Sequence, residues 1–503
     1  MDIQLKTVFN LNEFKSYQKG VINYVLQNKN CIVIMPTGSG KSLCYQFPTL
    51  INNKITIVFS PLISIMEQQV NYLNSIGIKS KYYDSFDETS FISDILNYKI
   101  IYITPEKFSK YIYELNIIID KIGLFAIDEC HCLSEWGHDF RPNYKNLSLL
   151  NDLYKSVPII ALTATATNKV EMDIINILKL NILETVLIKD SVYRSNLQYL
   201  FRIKTNIEHD LKLLYKNESD KLIPTIIYAN TVKQTETICD YLVDQLNIEC
   251  LNYYAQMDLD SKKEIHELFM NNKIHCLVAT VAYGMGIHKD NIRRIIHYGA
   301  PYSVEQYYQQ TGRAGRDNEN SQCILYFNNS DFNLTHFNMS DYKIKQSNDM
   351  YNLCFTSNCR NKYLLNYFNE ENTIIHNCRC DNCILNESEI YLNLNNEIKL
   401  ILKTIYLTKQ QFGTGIIIDI LRGSNKTNIL SKKLNEINTY GKGKYKSIEW
   451  WKYLITYLQT KLKLCLSNNK YNILELTNNG IKQLYLNSSE IKDIKICKHI
   501  EYL

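Results

Sequence analysis

Short apolar runs recur along most of the chain, and each is followed by a polar or glycine-containing turn and a helical stretch. Strands that are apolar throughout must be covered on both faces, so this alternation is typical of a doubly wound parallel α/β sheet. Eight such runs fall into two cycles, at 31–35, 55–59, 100–103, 124–127 and 159–162, then at 225–228, 276–279 and 295–298. We therefore predict an α/β fold with two parallel-sheet lobes in series, joined near Asp190–Leu197.

The length and the change of pattern along the chain predict four domains. At 503 residues the chain exceeds the size of one hydrophobic core. Beyond about Ser340 the strand–helix alternation gives way to a helix, a cysteine cluster and a compact basic segment. We place the domains at 1–194, 195–340, 341–395 and 396–503.

The composition favours an intracellular protein with no membrane partner. The apolar fraction is 45% and the charged fraction 21%, as in ordinary globular proteins. No apolar run approaches the roughly 18–20 residues that span a bilayer, and the first ten residues lack a signal-peptide layout. Most of the 15 cysteines are isolated in apolar stretches, as expected in a reducing compartment. We expect the nucleus in a eukaryotic cell, and otherwise the cytoplasm or a viral replication compartment.

Positive charge is concentrated at the end of the chain. Residues 396–503 contain 18 Lys/Arg against 8 Asp/Glu, whereas the remainder contains 38 against 43. This asymmetry indicates that the last domain contacts a polyanion. A lysine-rich surface that serves only solubility is the alternative.

A phosphate-binding loop is indicated directly after the first apolar run. The segment Met35-Pro-Thr-Gly-Ser-Gly-Lys-Ser42 lies between a predicted strand and a predicted helix, with methionine where the general motif has glycine. Its glycines let the backbone curl so that successive N–H groups face a phosphate, and the helix adds its positive end. Lys41 would reach the β- and γ-phosphates and Ser42 would ligate Mg²⁺. A plain glycine turn is the alternative. The residues expected to hold ATP here are Thr37, Gly38, Ser39, Gly40, Lys41 and Ser42.

Acids and arginines elsewhere complete the pattern of a phosphoryl-transfer site. Asp128 and Glu129 follow the apolar run 124–127, where Asp128 would hold Mg²⁺ and Glu129 would orient and deprotonate the attacking water. Arg313 and Arg316 lie beside glycines in the second lobe and would stabilise the transferred γ-phosphoryl group. If the arginines reach the site only when the lobes close, hydrolysis is coupled to domain motion. An acid pair or an arginine is common in proteins and indicates little by itself, so this interpretation depends on the P-loop.

These motifs resemble those of the RecQ helicases of superfamily 2 over nearly the whole chain. The resemblance implies that Gln18 reads adenine, with Lys15 in place of the family's usual arginine. The segment 254–256 and residues Gln310 and Asn318 also depart from the family pattern without removing an essential catalytic group. The segments that match motifs touching the DNA backbone, linking it to ATP or lying in the second lobe are 60–66, 104–106, 162–166 and 283–287.

The segment 133–142 is the most specific part of the resemblance. It is similar to the aromatic-rich loop of RecQ proteins, although Glu135 lies where the family often has glutamine. Aromatic faces stack on single-stranded bases, worth about 1–3 kcal/mol each. Because the loop follows Asp128 and Glu129, it could report DNA occupancy to the catalytic acid. Aromatic pairs are more often core residues, which is the alternative. The residues expected to contact DNA are Trp136, His138, Phe140 and Arg141.

Four cysteines are spaced as a structural metal site. Cys359 precedes a helical stretch, and three more cysteines follow within six residues of one another, which suits tetrahedral Zn²⁺. RecQ proteins carry such a site after the second lobe. A disulfide pair is the alternative, and His376 and Cys354 are spare ligand candidates. The three clustered ligands are Cys378, Cys380 and Cys383.

The basic segment 396–503 resembles the winged-helix domain of RecQ proteins. Segments 412–424 and 440–450 carry the match, and 465–476 predicts a short β-hairpin wing. Its lysines would grip phosphates. Because the chain ends at Leu503, we expect no room for the further C-terminal HRDC domain found in many family members.

The resemblance implies an ATP-dependent 3′→5′ DNA helicase that serves repair, recombination or replication. We expect a monomer that uses ATP, Mg²⁺ and Zn²⁺ and acts on single-stranded and duplex DNA, tailed or forked. An RNA helicase is the nearest rival, disfavoured by the aromatic loop and the winged helix. The alternative from a different functional class is a DNA-binding or strand-annealing protein that uses ATP as a conformational switch.

Overall fold

The computed structural model describes most of the chain, with short gaps. The described residues are 1–15, 17–83, 91–135, 140–284, 289–332, 341–356, 358–370, 374–375, 377–387, 391–392, 394–460, 462, 464–468, 473–485 and 494–495. Within these ranges no helix combines the length and the apolar character needed to cross a membrane.

The first lobe is a parallel sheet covered by helices on both faces. Its strands are β1 (Cys31–Ile34), β2 (Ile55–Phe59), β3 (Ser80–Tyr83), β4 (Ile100–Ile103), β5 (Ile122–Ile127), β6 (Ile159–Thr163) and β7 (Val186–Lys189). They lie in the order β3-β4-β2-β5-β6-β1-β7. The helices are α1 (Asp2–Phe9), α2 (Gln18–Leu26), α3 (Leu43–Gln46), α4 (Pro48–Asn52), α5 (Ile63–Ser75), α6 (Phe91–Ile95), α7 (Pro105–Tyr111), α8 (Leu149–Leu153) and α9 (Asn168–Ile177).

Strand β1 explains why continuous apolar runs form this sheet. Ile32 and Ile34 pack into the core on one face, whereas Cys31 and Val33 pack into the core on the other. Successive side chains of a strand point to opposite faces, so a strand with two buried faces must be apolar at every position. The prediction of a doubly wound parallel lobe is confirmed.

The second lobe repeats this architecture. Its strands are β8 (Leu197–Ile203), β9 (Thr225–Ala229), β10 (Cys250–Tyr253), β11 (Cys276–Ala279), β12 (Arg294–Tyr298) and β13 (Ser321–Phe327). They are all parallel and lie in the order β10-β11-β9-β12-β13-β8. The helices are α10 (Ile207–Lys212), α11 (Glu218–Lys221), α12 (Val232–Leu246), α13 (Leu259–Met270) and α14 (Val304–Thr311).

A three-helix segment packs onto the second lobe and shares its core. It comprises α15 (Asp341–Phe355), α16 (Arg360–Tyr367) and α17 (Asp381–Glu387). Leu353 and Leu364 lie in the same buried cluster as Phe201 and Phe327 of the second sheet. The cysteine-bearing helices are therefore held against lobe 2 by apolar burial.

The last domain combines helices with a short hairpin. Its elements are β14 (Tyr391–Leu392), α18 (Asn395–Leu407), α19 (Thr414–Arg422), α20 (Thr427–Leu430), α21 (Ile448–Thr460), β15 (Cys465–Asn468), β16 (Ile473–Leu476), α22 (Asn478–Tyr485) and β17 (Ile494–Lys495). Strands β15 and β16 pair antiparallel, with Cys465 opposite Leu476, as the sequence predicts. Trp451, Ile401 and Ile417 lie in one core that joins α18, α19 and α21. Helices backed by a hairpin are the architecture of a winged helix.

Candidate nucleotide site and metal centre

The P-loop curls between β1 and α3 because two glycines adopt positive φ angles. Gly38 has φ 85° and Gly40 has φ 83°, a region that side chains strain to enter. A Cβ at Gly40 would lie 2.5 Å from Gln18 Nε2. The loop leads into the short helix α3, and after Phe47 the chain continues as α4, which begins at Pro48.

Lys41 lies inside the curl and bonds the loop's own backbone. Its Nζ donates to the carbonyl oxygens of Met35 at 3.1 Å and Pro36 at 3.2 Å. The buried hydroxyl of Ser39 has no hydrogen-bond partner among the described atoms. A curled loop with a buried ammonium and an unused hydroxyl fits a phosphate group.

The structure brings Lys41 together with both predicted acids and with Arg316. Burial lowers the pKa of Lys41 and Arg316 lowers it further, whereas Glu129 and Asp128 raise it. Burial and then Glu129 raise the pKa of Asp128 to about 7, and Lys41 opposes this rise. Four charged groups predicted from three sequence motifs are therefore close enough to interact electrostatically.

The end of β5 positions the two acids, Asp128 and Glu129. The chain turns sharply after Ile127, and Glu129 adopts the left-handed conformation at φ 49°. The Glu129 amide donates to Asp128 Oδ1 at 3.0 Å. The Nδ1 atom of buried His131 lies 3.3 Å from Glu129 Oε2 and 2.9 Å from Thr163 Oγ1. His131 thus links Glu129 to Thr163, the last residue of β6.

The predicted adenine residues lie against the P-loop. Gln18 Nε2 donates to the carbonyl of Gly40 at 3.0 Å, and its Oε1 accepts from the Lys15 amide at 2.7 Å. Lys15 Nζ donates to the Gly38 carbonyl at 3.2 Å. Lysine in place of the family's arginine therefore still reaches the loop.

Arg316, one of the two predicted arginines of lobe 2, lies against the P-loop of lobe 1, whereas Arg313 contacts residues of its own lobe. A Cβ at Gly38 would lie 3.2 Å from Cγ of Arg316. Burial, and next Arg313, lower the pKa of Arg316 to about 10. Arg313 is buried, and its Nη1 donates to the Tyr283 carbonyl at 3.3 Å while its guanidinium lies 5.9 Å from the Tyr228 ring centroid.

Two departures from the family pattern have local structural roles. Gln310 is buried and its Oε1 lies 2.9 Å from Nε2 of His297. Asn318 adopts φ 68°, which asparagine tolerates better than most residues, so it serves where the family has glycine. Tyr254 is half-buried and Gln256 exposed in the turn after β10.

The linker between the lobes contains functional residues that sequence reasoning missed. Arg194 Nη2 donates to the Gly315 carbonyl at 2.6 Å, and its Nη1 lies 3.4 Å from the Thr37 carbonyl. Glu370, just beyond the end of α16, accepts from the Ser191 hydroxyl and the Val192 amide at 2.7 Å each. No local sequence motif identifies Arg194 or Glu370, although Arg194 lies within the predicted joint between the lobes.

The aromatic loop is described in part. Trp136 and His138 lie outside the described residues. Phe140 is half-buried with Lys145 Nζ 5.3 Å from its ring centroid, and Arg141 Nη1 donates to the Pro61 carbonyl at 2.6 Å. Glu135 pairs with the same Lys145 at 2.7 Å. Arg141 thus lies beside the 60–66 motif.

The four predicted cysteines form one cluster of zinc-binding geometry. Their sulfur atoms all lie within 4.8 Å of one another, with 3.4 Å between Cys359 and Cys378 and 4.0 Å between Cys380 and Cys359. Tetrahedral Zn²⁺ with Zn–S bonds of about 2.3 Å places sulfurs about 3.8 Å apart. All four cysteines are free rather than in disulfides. Cys354 is buried and stands outside the cluster, and His376 lies outside the described residues.

Neighbouring donors favour the thiolate form of the cluster. Asn361 Nδ2 donates to Cys378 Sγ at 3.1 Å, and the Arg360 amide donates to Cys380 Sγ at 3.4 Å. The Arg360 guanidinium pairs with Asp381 at 3.0 and 2.8 Å and so ties α16 to α17. These contacts hold the ligands where a metal needs them.

Four segments match known protein families in chain order. Residues 15–173 match the DEAD/DEAH box helicase family and residues 206–318 the helicase conserved C-terminal domain. Residues 327–384 match the RecQ zinc-binding family and residues 391–492 the RQC domain. The order reproduces the four structural parts described above.

Relatives align over most of the chain. A candidate ATP-dependent RNA helicase of Acanthamoeba polyphaga mimivirus is 37% identical over 95% of this chain and 91% of its own. The ATP-dependent DNA helicase RecQ of Haemophilus influenzae is 34% identical over 90% of this chain and 74% of its own. A mouse bifunctional 3′-5′ exonuclease/ATP-dependent helicase is 36% identical over 97% of this chain, which spans 37% of its length.

Solved structures support the two-lobed fold. The helicase MrfA bound to DNA superposes with a TM-score of 0.56 at 18% identity, covering 70% of this chain and 50% of that one. Dbp5 of Saccharomyces cerevisiae, bound to RNA and ADP BeF3, gives 0.53 at 15% identity, covering 73% of this chain and 91% of that one.

Two RecA-like lobes that enclose a P-loop, an acid pair and two arginines define a superfamily 2 helicase. The zinc-binding segment, the RQC domain and relatives such as the RecQ helicase of Haemophilus influenzae show that the chain belongs to the RecQ family. It is an ATP-dependent DNA helicase. The predicted fold class and enzyme class are confirmed, and the cysteine cluster is its zinc-binding site.

Proposed function

We propose that ATP hydrolysis between the lobes drives 3′→5′ movement along single-stranded DNA and so unwinds tailed or forked duplexes. The observation that carries this proposal is the close approach of Arg316 of lobe 2 to Gly38 in the P-loop of lobe 1. A cleft closed by residues of both lobes makes hydrolysis depend on lobe closure. We further propose that the protein acts as a monomer.

The P-loop holds the nucleotide in this proposal. The curled backbone from Thr37 to Gly40 and the Ser39 hydroxyl cradle the phosphates, and Lys41 leaves its backbone partners to reach the β- and γ-phosphates. Gln18 and Lys15 border the nucleotide at the same loop. Ser42 and Asp128 hold Mg²⁺, which when bound neutralises charge on the phosphates.

Glu129 orients and deprotonates the attacking water. It lies beside Lys41 and Asp128, and it contacts His131, which reaches Thr163. Arg313 and Arg316 stabilise the charge on the transferred phosphoryl group when the lobes are closed.

DNA contacts are proposed on the loop after the acids and on the winged helix. Trp136, His138, Phe140 and Arg141 would contact single-stranded bases and backbone. The basic segment 396–503 would grip the duplex, and the β15–β16 hairpin would lie at the fork.

The test is strand separation of a duplex with a 3′ single-stranded tail in Mg²⁺-ATP. The wild type should separate the strands, and Lys41→Ala should abolish separation. A 5′-tailed duplex should stay intact. The matched control is Lys19→Ala, which removes an exposed lysine paired with Asp2. DNA-stimulated hydrolysis without strand separation would contradict the unwinding and favour an ATP-switched annealing or translocating protein.

An RNA substrate is the second candidate, because the viral relative is named for RNA. ATP hydrolysis should be stimulated by single-stranded DNA far more than by single-stranded RNA of the same sequence. Equal or greater stimulation by RNA would make RNA, instead of DNA, the proposed substrate.

A further inference from the structure

A polar cavity of about 490 Å³ lies between the interlobe linker, lobe 2 and the zinc-binding segment. Its floor is formed where β8, β12 and β13 begin, at Leu197, Arg294 and Ser321. Tyr193 comes from the linker, and Arg379 lies between two zinc ligands. The volume is in the range of small-ligand sites.

Three arginines line the cavity, and no carboxylate lies among the described residues that line it. Arg293 Nη1 lies 3.0 Å from Asp317 Oδ1, whereas in the part of the chain that the structure describes neither Arg294 nor Arg379 makes an ion pair. Arg294 is 6% exposed and its Nη1 bonds the Leu214 carbonyl at 3.3 Å. Guanidinium groups without a carboxylate partner, buried in Arg294 and exposed in Arg379, attract an anion.

Amide side chains supply the remaining polar lining. They come from all three walls of the cavity, as Asn196, Gln198, Asn320, Gln322, Asn361 and Asn377. Gln198 Nε2 also donates to the Arg379 carbonyl at 3.0 Å, which joins lobe 2 to the zinc-binding segment at the cavity wall. Amides pair with bases and sugars, and the Tyr193 ring offers a stacking face.

We propose that this cavity binds a phosphate-bearing nucleotide, at a site separate from the ATP cleft. Guanidinium groups bind phosphate through paired hydrogen bonds, and the amides and the ring suit a sugar and a base. The nucleotide is either a free mononucleotide or the end of a DNA strand, since both present the same groups.

The cavity is also joined to the arginine loop. Asp317, the partner of Arg293, directly follows Arg316. Asn196 Nδ2 donates to the Gly315 carbonyl at 2.9 Å. A bound phosphate therefore competes with Asp317 for Arg293 close to the catalytic arginines.

The experiment is calorimetric titration of the full chain, with the ATP cleft first saturated by Mg²⁺ and a non-hydrolysable ATP analogue. The probes are dTMP, the 5′-phosphorylated dinucleotide of thymidine, and thymidine as the phosphate-free control. Wild type should bind a phosphorylated probe at one site and thymidine far more weakly. Binding of dTMP alone indicates a free mononucleotide, and binding of the dinucleotide alone indicates a strand end.

Variants on two walls decide whether binding occurs in the cavity. Arg379→Ala should weaken binding about tenfold, as the loss of a charged hydrogen-bonding group does. Asn320→Asp adds a carboxylate at nearly constant volume and should weaken binding at least as much. The control Lys233→Ala removes an exposed charge on α12 and should bind as wild type does. Bound zinc is measured in each variant, because Arg379 adjoins two ligands.

Equal binding of thymidine and dTMP, or wild-type binding by both Arg379→Ala and Asn320→Asp, would overturn the proposal. Absence of any binding to the wild type would overturn it too. Strand separation by the same preparations tests the helicase function independently, so the two failures are distinguishable.

Discussion

The guanidinium of Arg194 donates a hydrogen bond of 2.6 Å to the carbonyl of Gly315. Gly315 lies between the two arginines of lobe 2, and the other end of the Arg194 fork lies 3.4 Å from the carbonyl of Thr37 in the P-loop. A single side chain of the linker therefore contacts the nucleotide-binding loops of both lobes.

Arg194→Ala should lower the turnover number of DNA-stimulated ATP hydrolysis by about 10- to 100-fold, because hydrogen bonds from charged donors are worth about 1.5–3 kcal/mol. Arg194→Lys keeps the charge without the fork and should recover part of the rate. The control is Lys179→Ala, which breaks an exposed pair with Asp152. A wild-type rate in Arg194→Ala would refute the bridging role.

Tyr228 should position Arg313 for catalysis. Its hydroxyl donates to the Tyr283 carbonyl at 3.0 Å, the same oxygen that accepts from Arg313 at 3.3 Å. Tyr228→Phe loses one neutral hydrogen bond of about 1 kcal/mol, so the turnover number should fall about fivefold while the KM for ATP stays unchanged. Steady-state kinetics at saturating DNA measure both. A raised KM with an unchanged turnover number would place Tyr228 in nucleotide binding instead.

Buried His297 should make stability depend on pH. Burial lowers its pKa to about 4, from an ordinary value near 6.5. Between these pH values the unfolded chain binds a proton that the folded chain does not, so the free energy of unfolding falls as the pH falls. From pH 7 to pH 5 the loss is about 2 kcal/mol.

Urea unfolding at pH 7 and pH 5 tests this dependence, with wild type compared to His297→Asn. The variant should lose less stability over that interval, although buried His131, whose pKa burial lowers to about 3, still contributes. Unfolding at pH 8 first measures the packing cost of the substitution. The same pH dependence in both proteins would show that His297 does not titrate in this way.

Whether a strand could be predicted from the sequence depended on how completely it is buried. Buried strands such as β1 and β4 were predictable because every residue is hydrophobic. The edge strands β3, β7, β8 and β10 were not, because one side lacks a neighbour and their residues are partly exposed. β13 lies inside its sheet but begins with polar Ser321 and Gln322, which interrupt the apolar run.

The candidate site likewise contains residues that could be predicted from the sequence and residues that could not. The P-loop, the acid pair and the arginine loop are each contiguous in sequence, so their chemistry was visible in short motifs. Arg194 lies 157 residues from its P-loop partner Thr37, and Glu370 lies 179 residues from Ser191. Contacts of that separation depend on how lobes and zinc-binding segment pack, and no local pattern encodes them.

Loss of the zinc site should also destabilise the linker between the lobes. Cys380 Sγ accepts from the backbone amide of Arg360 at the start of α16, and Glu370 just beyond the end of α16 accepts from Ser191 and Val192. Structural zinc contributes about 10–16 kcal/mol of apparent binding free energy in small zinc domains, so its removal should unfold these helices. The linker then loses the carboxylate that holds it.

Cys380→Ser should therefore lose stoichiometric zinc and most DNA-stimulated ATP hydrolysis, measured by a chromogenic chelator and by phosphate release. Cys354→Ser is the matched control, because Cys354 is a buried cysteine of the same segment that stands outside the cluster. It should retain one zinc per chain and near wild-type hydrolysis. Full hydrolysis by zinc-free Cys380→Ser would show that the linker is held without the metal, and equal zinc loss in Cys354→Ser would show that the ligand set is wrong.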